Sequence, residues 1–201
     1  MPIPPLVLAS TSIYRKSILE KLNLPFITAS PSTDETALKN ENPEDLVLRL
    51  AKEKAQSIKA VYQNHLIIAS DQVAILKDGT ILTKPHTHEN AIKQLQACSG
   101  RSVRFLTGLS LLNTRDNKQQ TIIEPFDVTF RTLSLNEIDN YLRIEKPYDC
   151  AGSFKVEGMG ICLFEKLSGD DFNSLIGLPL IRLLLLLQNE GVNPLKQSST
   201  T

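Results

Sequence analysis

Hydroxyl and cationic side chains cluster near the start of the chain, in the segment Ser10-Thr-Ser-Ile-Tyr-Arg-Lys16. This segment follows a short apolar run and enters a helical pattern, so its hydroxyls, free N–H groups and cations meet at a helix N-terminus. That combination favours an anion such as phosphate. The alternative is that Ser12 only caps the helix while Arg15 and Lys16 point into solvent. The segment lacks the glycines of a P-loop.

Two segments with acidic side chains further along could bind a metal ion or activate water. Asp71-Gln72 follows the apolar run from His65 to Ser70, where we expect a strand to end, and ligands of α/β sheets gather at the carboxyl ends of strands. Asp34-Glu35 lies in the polar loop 30–42, and a mobile acidic loop near phosphates could hold a cation. The alternatives are a turn started by Asp71 and a solvated loop around Glu35.

Two lysines lie in segments with restricted or unusual backbone. Lys84 precedes Pro85, and this X-Pro step can present a fixed positive charge. Lys155 and Glu157 lie in the glycine-rich segment 151–160, where an extended chain would place both on one face. An ordinary surface lysine and a glycine-rich surface hairpin are the alternatives.

The histidines and cysteines carry weaker signals. His86 and His88 have no third ligand nearby in the sequence, so we predict a solvated loop rather than a metal site. The three cysteines, Cys98, Cys150 and Cys162, include no C-x-x-C pair and are predicted to be buried, reduced thiols.

These residues sit on alternating strand and helix patterns. Strands are predicted over 5–9, 25–29, 65–70, 73–76, 80–82, 103–112, 121–130 and 160–164. Helices are predicted over 13–22, 43–58, 87–98, 134–143 and 179–190. Lys54 is the one polar residue on the apolar face of the second helix, and the run Leu183 to Leu187 predicts that the last helix is buried on most sides. We expect an α/β fold with a mixed sheet and helices in two lobes around a cleft.

Composition limits the function classes. The chain has 22 Lys and Arg against 22 Asp and Glu among its 201 residues, which argues against a generic basic surface for a stable nucleic-acid complex. The N-terminal residues lack the basic region of a signal peptide, and the apolar segment 178–187 is too short to cross a bilayer. We therefore expect a single domain over 1–201 that is cytoplasmic and does not use a membrane.

The order of the chemical segments along the chain is more specific than any one of them. They are Leu8-Ala-Ser-Thr-Ser12 with Arg15, Asp34-Glu35-Thr36, Leu46 to Ala55, Ser70-Asp71-Gln72, Lys84-Pro85, Cys150 to Lys155 with Glu157-Gly158, and Ile176-Gly-Leu-Pro179. This set, spanning about residues 6 to 195, resembles the Maf-like family of nucleotide pyrophosphatases. Within that family it looks like the branch that hydrolyses N7-methylguanosine triphosphate.

The resemblance implies a fold, a reaction and a cofactor. The fold would be akin to that of inosine triphosphate pyrophosphatases, with a mixed sheet and two lobes, and the family is often dimeric. The reaction would cut a small-molecule nucleoside triphosphate between its α and β phosphates, giving the monophosphate and pyrophosphate. A divalent cation, Mg²⁺ or Mn²⁺, would assist.

The resemblance also implies roles for individual residues, which divide into three groups. Asp71 takes the proton-acceptor position, and Glu35 falls where an acidic loop helps with metal or water, so the two would hold the cation. Ser10, Arg15, Lys84 and Lys155 take phosphate-facing positions, and Asp71, Lys84, Glu35 and Arg15 would be the catalytic set. Tyr14, Gln72 and Glu157 fall on the positions that distinguish substrate branches.

The branch assignment can be argued physically. The Glu157 carboxylate can accept from both adjacent donors of a guanine edge, and the positive charge of N7-methylation favours stacking on the Tyr14 ring. Many members of this branch carry Trp, Arg and Gly where Tyr14, Lys16 and Thr83 stand here. Two other functions remain open: the same reaction on dTTP, UTP or other nucleotides, and a non-enzymatic nucleotide-binding role associated with cell division.

Overall fold

A computed structural model describes residues 4–196 of the chain, which contain seven strands and six α-helices. The strands are β1 (Leu6–Ala9), β2 (Phe26–Ala29), β3 (Leu66–Leu76), β4 (Ile81–Leu82), β5 (Ser102–Asn113), β6 (Lys118–Phe130) and β7 (Phe164–Ser168). The helices are α1 (Ile13–Glu20), α2 (Pro43–Ser57), α3 (His88–Cys98), α4 (Leu135–Glu145), α5 (Phe172–Ile176) and α6 (Leu180–Asn189).

All seven strands belong to one mixed sheet with the order β2-β1-β3-β5-β6-β7, and β4 pairs separately with β3. The apolar strand β1 is parallel to both β2 and β3, whereas β4 and β7 are antiparallel to their neighbours. Strand β1 is buried along its whole length, and Ala55 and Ile58, at the end of α2, pack in one apolar cluster with Val7 and Ala9 of this strand. The prediction of an α/β fold with a mixed sheet is confirmed.

The chain divides into two compact units. Unit 1 comprises residues 4–71, 107–124 and 177–196, and unit 2 comprises residues 72–106 and 125–176. In unit 1 the helix α2 packs close to β5, because a Cβ atom on Gly108 would lie 2.2 Å from the carbonyl oxygen of Val47. In unit 2 an apolar core includes four phenylalanines in edge-to-face contact, Phe105, Phe130, Phe154 and Phe164.

Local signals placed most helix ends correctly. Asn42 caps α2 with Pro43 in the first turn, Thr87 caps α3, and Ser134 forms a capping box with Glu137 at the start of α4. Asp78-Gly79 forms the turn between β3 and β4. These contacts satisfy the N–H groups that each helix leaves without an internal partner.

Three expectations about elements are wrong. The strand predicted to end at Asp71 continues as β3 to Leu76, and the strand predicted over 160–164 is a 3₁₀ turn, with β7 beginning at Phe164. The five residues of helix α5 are too few to show a helical pattern in the sequence, so the sequence does not predict this helix. Residues 154–158 do not form an extended strand either. The expectation that an extended chain places Lys155 and Glu157 on one face is therefore wrong.

The prediction that the leucine-rich helix α6 is buried on most sides is confirmed only in part, because one face of the helix, which includes Ile181 at 48% exposure, is open to solvent. Leu183, Leu186 and Leu187 are buried and Leu184 is half-buried, whereas Leu185 is 48% exposed. Arg182 on this helix pairs with the buried Glu124 at 2.7 Å, which accounts for a cation in an apolar run. Within residues 4–196, none of the helices has both the length and the apolar character needed to cross a membrane.

Candidate functional site

The start of α1 presents the predicted hydroxyl and cation cluster. Ser12 is the N-cap, and its side chain accepts from the Arg15 backbone N–H at 3.3 Å. The buried Ser10 hydroxyl accepts from the Ser12 N–H at 3.1 Å, which turns the chain from β1 into the helix. Helix capping by Ser12 is therefore real, but Arg15 does not point simply into solvent.

The Arg15 side chain is held in place by the backbone at the start of the last segment of unit 1. Its Nε donates to the Gly177 carbonyl at 3.1 Å, and the fully buried Ser70 hydroxyl donates to the same oxygen at 2.8 Å. Gly177 has φ +113°, and a Cβ atom there would approach Arg15 Nε to 3.1 Å. A glycine is thus required where the backbone both turns and receives the guanidinium.

A buried lysine joins the two acidic positions. Lys54, which is 6% exposed, has its Nζ 2.5 Å from Asp71 Oδ1 and 2.6 Å from Glu35 Oε1. Sequence reasoning missed Lys54 as a site residue, although it was the only polar residue on the apolar face of its helix. The buried Asp71 carboxylate thus has a partner of opposite charge, as burial of a carboxylate requires.

The charges of this cluster act on one another. Burial raises the pKa of Asp71 above its ordinary value, and the positive charges of Lys54 and Arg15 oppose that rise. Burial lowers the pKa of Arg15, against the attraction of Asp71 and Glu35. A guanidinium stays protonated throughout the physiological range, so Arg15 remains a cation beside two carboxylates.

The loop that carries Glu35 is anchored rather than free. Arg49 of α2 donates to the Thr36 carbonyl at 3.1 Å and pairs with Glu41 at 2.6 Å. The Thr36 N–H donates to Asp34 Oδ1 at 2.9 Å, a local turn that directs the backbone before the helix. These bonds hold exposed Glu35 near Lys54.

Unit 2 carries the second group of predicted site residues. The exposed Lys84 lies between β4 and α3, and the adjacent carbonyls of Thr83 and Pro85 accept from Gln94 and Asn90 at 2.9 and 3.1 Å. The backbone on both sides of Lys84 is therefore held by hydrogen bonds from α3, in addition to the restriction that the Lys84-Pro85 step imposes.

Lys155 and Glu157 follow a tight turn. Lys155 donates from its backbone N–H to the Tyr141 hydroxyl at 3.0 Å and from Nζ to the Glu145 carbonyl at 3.2 Å. Burial raises the pKa of the nearby Cys150 thiol, with Lys155, Glu157, Asp149 and Lys84 as the charged neighbours. The two lysines and Glu157 thus share one neighbourhood in unit 2.

The remaining predicted residues are placed as follows. Tyr14 is half-buried in the first turn of α1, in unit 1. Gln72 lies in unit 2, and its side-chain Nε2 donates to the Ser174 carbonyl at 2.7 Å and the Leu175 carbonyl at 3.3 Å. The predicted site residues are therefore divided between the two units.

The carboxylates of Glu35 and Asp71 are the residues that could hold a cation. Mg²⁺ commonly binds one or two carboxylates and completes its shell with water and substrate phosphates, so this donor pair fits such an ion. Within residues 4–196, no group of three or more His, Cys, Asp and Glu side chains forms a protein-only site. The Lys54 ammonium lies in contact with both carboxylates.

The histidine and cysteine predictions need correction. His88 is not in a solvated loop: it is the half-buried first residue of α3 and contacts Asp139 at 2.7 Å and the Tyr148 hydroxyl at 2.9 Å. The three thiols are free, but only Cys98 is buried, and Cys162 is exposed.

Comparison with known proteins gives one family match and a fold likeness. A family model described as "Maf-like protein" matches residues 5–190. Among solved structures, the chain is similar to the Ham1 protein of Staphylococcus aureus, with 14% identity and a TM-score of 0.54 over 92% of this chain and 99% of that chain. It is also similar to a HAM1 protein from Coxiella burnetii, with 14% identity and a TM-score of 0.49 over the same shares. The first of these likenesses shows the fold.

Proposed function

Since the chain belongs to the Maf-like protein family, we propose that it hydrolyses nucleoside triphosphates between the α and β phosphates and prefers N7-methyl-GTP. Family membership supports a nucleotide pyrophosphatase in general. Which phosphoanhydride bond is cut, and which nucleobase is preferred, is argued from the site residues and tested by a direct assay.

The observation that carries the proposal is the charge cluster of unit 1. Arg15, tethered to Gly177, lies within electrostatic range of Asp71 and Glu35, which Lys54 joins. A cation fixed at a helix start favours a phosphate, and a carboxylate with a raised pKa is a better base than an ordinary one. Phosphate binding and proton removal are the two tasks that phosphoanhydride hydrolysis requires.

In the proposed reaction, the oxygen of a water molecule bonds to the α-phosphorus as the bond from that phosphorus to the α–β bridging oxygen breaks. Asp71 accepts the proton of that water, and pyrophosphate leaves with the bonding electron pair. Arg15, Lys84 and Lys155 offset the negative charge that develops on the phosphoryl oxygens. Ser10 and the start of α1 orient the triphosphate.

A divalent cation, Mg²⁺ or Mn²⁺, would be held by Glu35 and Asp71. When bound, it supplies charge neutralisation on the phosphoryl oxygens. Lys54 Nζ contacts one oxygen of each carboxylate, Oδ1 of Asp71 and Oε1 of Glu35, and so holds the two side chains near each other. Arg49 supports this by anchoring the loop that follows Glu35.

The preferred base follows from Glu157 and Tyr14. The exposed Glu157 carboxylate can accept from N1–H and the amino group of guanine together, whereas a pyrimidine carbonyl would face it with an acceptor. A hydrogen bond to a charged group contributes about 1.5–3 kcal/mol, so for a solvent-exposed carboxylate this mismatch supports discrimination of about 10-fold to 100-fold. Unmethylated GTP keeps both donors and loses only the ring charge, so it is disfavoured by roughly 10-fold to 30-fold.

The test is kcat/KM for N7-methyl-GTP, GTP, UTP and dTTP with one enzyme preparation, repeated with Glu157→Gln. We expect N7-methyl-GTP to rank first, and the Gln variant to gain relative activity on pyrimidines. If UTP or dTTP reacts as fast as N7-methyl-GTP, or if Glu157→Gln leaves the ranking of substrates unchanged, the proposed preference for N7-methyl-GTP is wrong. Absence of pyrophosphate with every nucleotide would favour a binding role instead.

A further inference from the structure

The backbone on both sides of Lys84 rests on one face of α3. Gln94 Nε2 donates to the Thr83 carbonyl at 2.9 Å, and Asn90 Nδ2 donates to the Pro85 carbonyl at 3.1 Å. The two side chains are four residues apart, so they lie one above the other on the helix surface. Helix α3 therefore fixes the position of the Lys84 segment.

The other end of the Gln94 amide reaches the segment that carries Lys155. The Ser153 hydroxyl donates to Gln94 Oε1 at 2.6 Å. Ser153 is fully buried and has φ +63°, a conformation uncommon for a residue with a side chain. Its position, two residues before Lys155, makes this hydrogen bond a link between the two lysine segments.

The orientation of the Gln94 amide follows from its partners. The Thr83 carbonyl can only accept, so it must face the NH₂ group of Gln94. The amide oxygen then faces Ser153, whose hydroxyl can rotate to donate. The reversed amide would place two oxygens 2.9 Å apart at Thr83, so the observed arrangement is the only one that satisfies both contacts.

Lys155 has anchors of its own, because its backbone N–H and its Nζ bond to Tyr141 and Glu145. Loss of the Gln94 link would therefore leave Lys155 in place and free the Lys84 segment on one side. Lys84 and Lys155 both lower the pKa of the Cys150 thiol, so both lie near it. The distance between the two lysines is therefore determined by contacts within unit 2.

We infer that Gln94 is a positioning residue: its side-chain amide sets the spacing between Lys84 and Lys155, and with it the spacing of two cations offered to the phosphates. The inference rests on the proposed function, since it assigns both lysines to the triphosphate. Gln94 itself need not touch the substrate. The oxygens of a triphosphate lie at fixed distances from one another, so cations held at matching distances bind them best. Small displacements of these cations reduce the rate strongly.

The test compares Gln94→Asn, Gln94→Leu and the control Gln96→Leu, which alters an exposed residue of the same helix. Gln94→Asn keeps both amide groups but is one methylene too short to reach both partners. We expect each Gln94 variant to lower kcat/KM by about 10-fold to 100-fold. Gln96→Leu should match the wild type, and melting temperatures identify any variant that has lost its fold.

A double-mutant cycle separates positioning from general stability. If Gln94 acts through Lys84, Gln94→Leu should cause little further loss in a Lys84→Ala background, whereas independent effects would multiply. The dissociation constant for inorganic tripolyphosphate, by calorimetry, provides a readout without turnover, and it should rise in both Gln94 variants.

The outcomes distinguish the two claims. An inactive wild type would overturn the proposed function, and tripolyphosphate affinity would then decide the role of Gln94 alone. An active wild type with folded Gln94 variants of unchanged kcat/KM and affinity would overturn the inference. Losses that multiply fully with Lys84→Ala would also overturn it.

Discussion

At the residue scale, the site depends on a buried ammonium group. Lys54 contacts Asp71 and Glu35, and Asp71 is only 7% exposed. A buried carboxylate that loses its partner is costly, because the remaining charge cannot be solvated. The lysine therefore supports both the fold around Asp71 and the direction of the two carboxylates.

We predict that Lys54→Met lowers kcat by about 10²-fold and the free energy of unfolding by about 3 kcal/mol. Lys52→Met changes an exposed lysine of the same helix and should leave both unchanged. Steady-state kinetics and urea unfolding measure the two effects. Equal behaviour of the two variants would remove Lys54 from the site.

The three thiols should react very differently in the folded protein. Burial raises the pKa of Cys98 to about 12, so almost none of it is thiolate at pH 8, whereas Cys162 is exposed. We expect maleimide to label Cys162 first and to spare Cys98 until the protein unfolds. Peptide mapping after timed quenching checks the order. Early labelling of Cys98 would contradict the burial of the α3 face on which it lies.

At the scale of elements, α2 and the sheet are in unusually close contact. Gly108 in β5 leaves no room for a Cβ atom, which would lie 2.2 Å from the Val47 carbonyl oxygen. Because α2 carries Lys54, a displacement of this helix would also move Lys54 away from Asp71. The glycine thus links packing to the geometry of the site.

We predict that Gly108→Ala lowers the free energy of unfolding by about 2–3 kcal/mol and reduces activity as well. Gly79→Ala is the comparison, since Gly79 lies in a turn with open space around it and φ +86°. That variant should lose about 1 kcal/mol through backbone strain and keep full activity. A smaller loss for Gly108→Ala than for Gly79→Ala would be inconsistent with the close packing.

The capping box of α4 should give a pH-dependent contribution to stability. Hydrogen bonds from Ser134 and Arg131 lower the pKa of Glu137 from 4.5 to about 2. A lowered pKa in the folded state means that the stabilisation is complete above the unfolded value, and is lost as the pH falls from about 4.5 to about 2.

Glu137→Gln should therefore lower the melting temperature at pH 7 and lose that difference by about pH 2. Glu165→Gln, a change of an exposed carboxylate in β7, is the control and should show no such trend. Differential scanning fluorimetry over this pH range measures both. A constant difference between wild type and Glu137→Gln at all pH values would mean that the charge of Glu137 contributes nothing.

At the scale of the whole molecule, elements with local signals were predictable and long-range partners were not. The starts of α2, α3 and α4 could be predicted because each has an N-cap residue that bonds to a backbone N–H three residues later. These N-cap residues are Asn42, Thr87 and Ser134. The partner of the buried Asp71 carboxylate is Lys54, which lies 17 residues earlier. The Gly177 carbonyl that holds Arg15 lies 162 residues away, and a backbone oxygen leaves no trace in a residue pattern.

We propose that the chain cuts nucleoside triphosphates at the α–β bond with Asp71 as the general base. The most direct measurement quantifies pyrophosphate and orthophosphate released from N7-methyl-GTP by the wild type and by Asp71→Asn, with Mg²⁺ present. We expect the wild type to release one pyrophosphate per monophosphate and no orthophosphate. We expect a folded Asp71→Asn variant that still binds nucleotide to react at less than a tenth of that rate. Orthophosphate as the product, or a variant that keeps more than a tenth of the rate, would contradict this proposal.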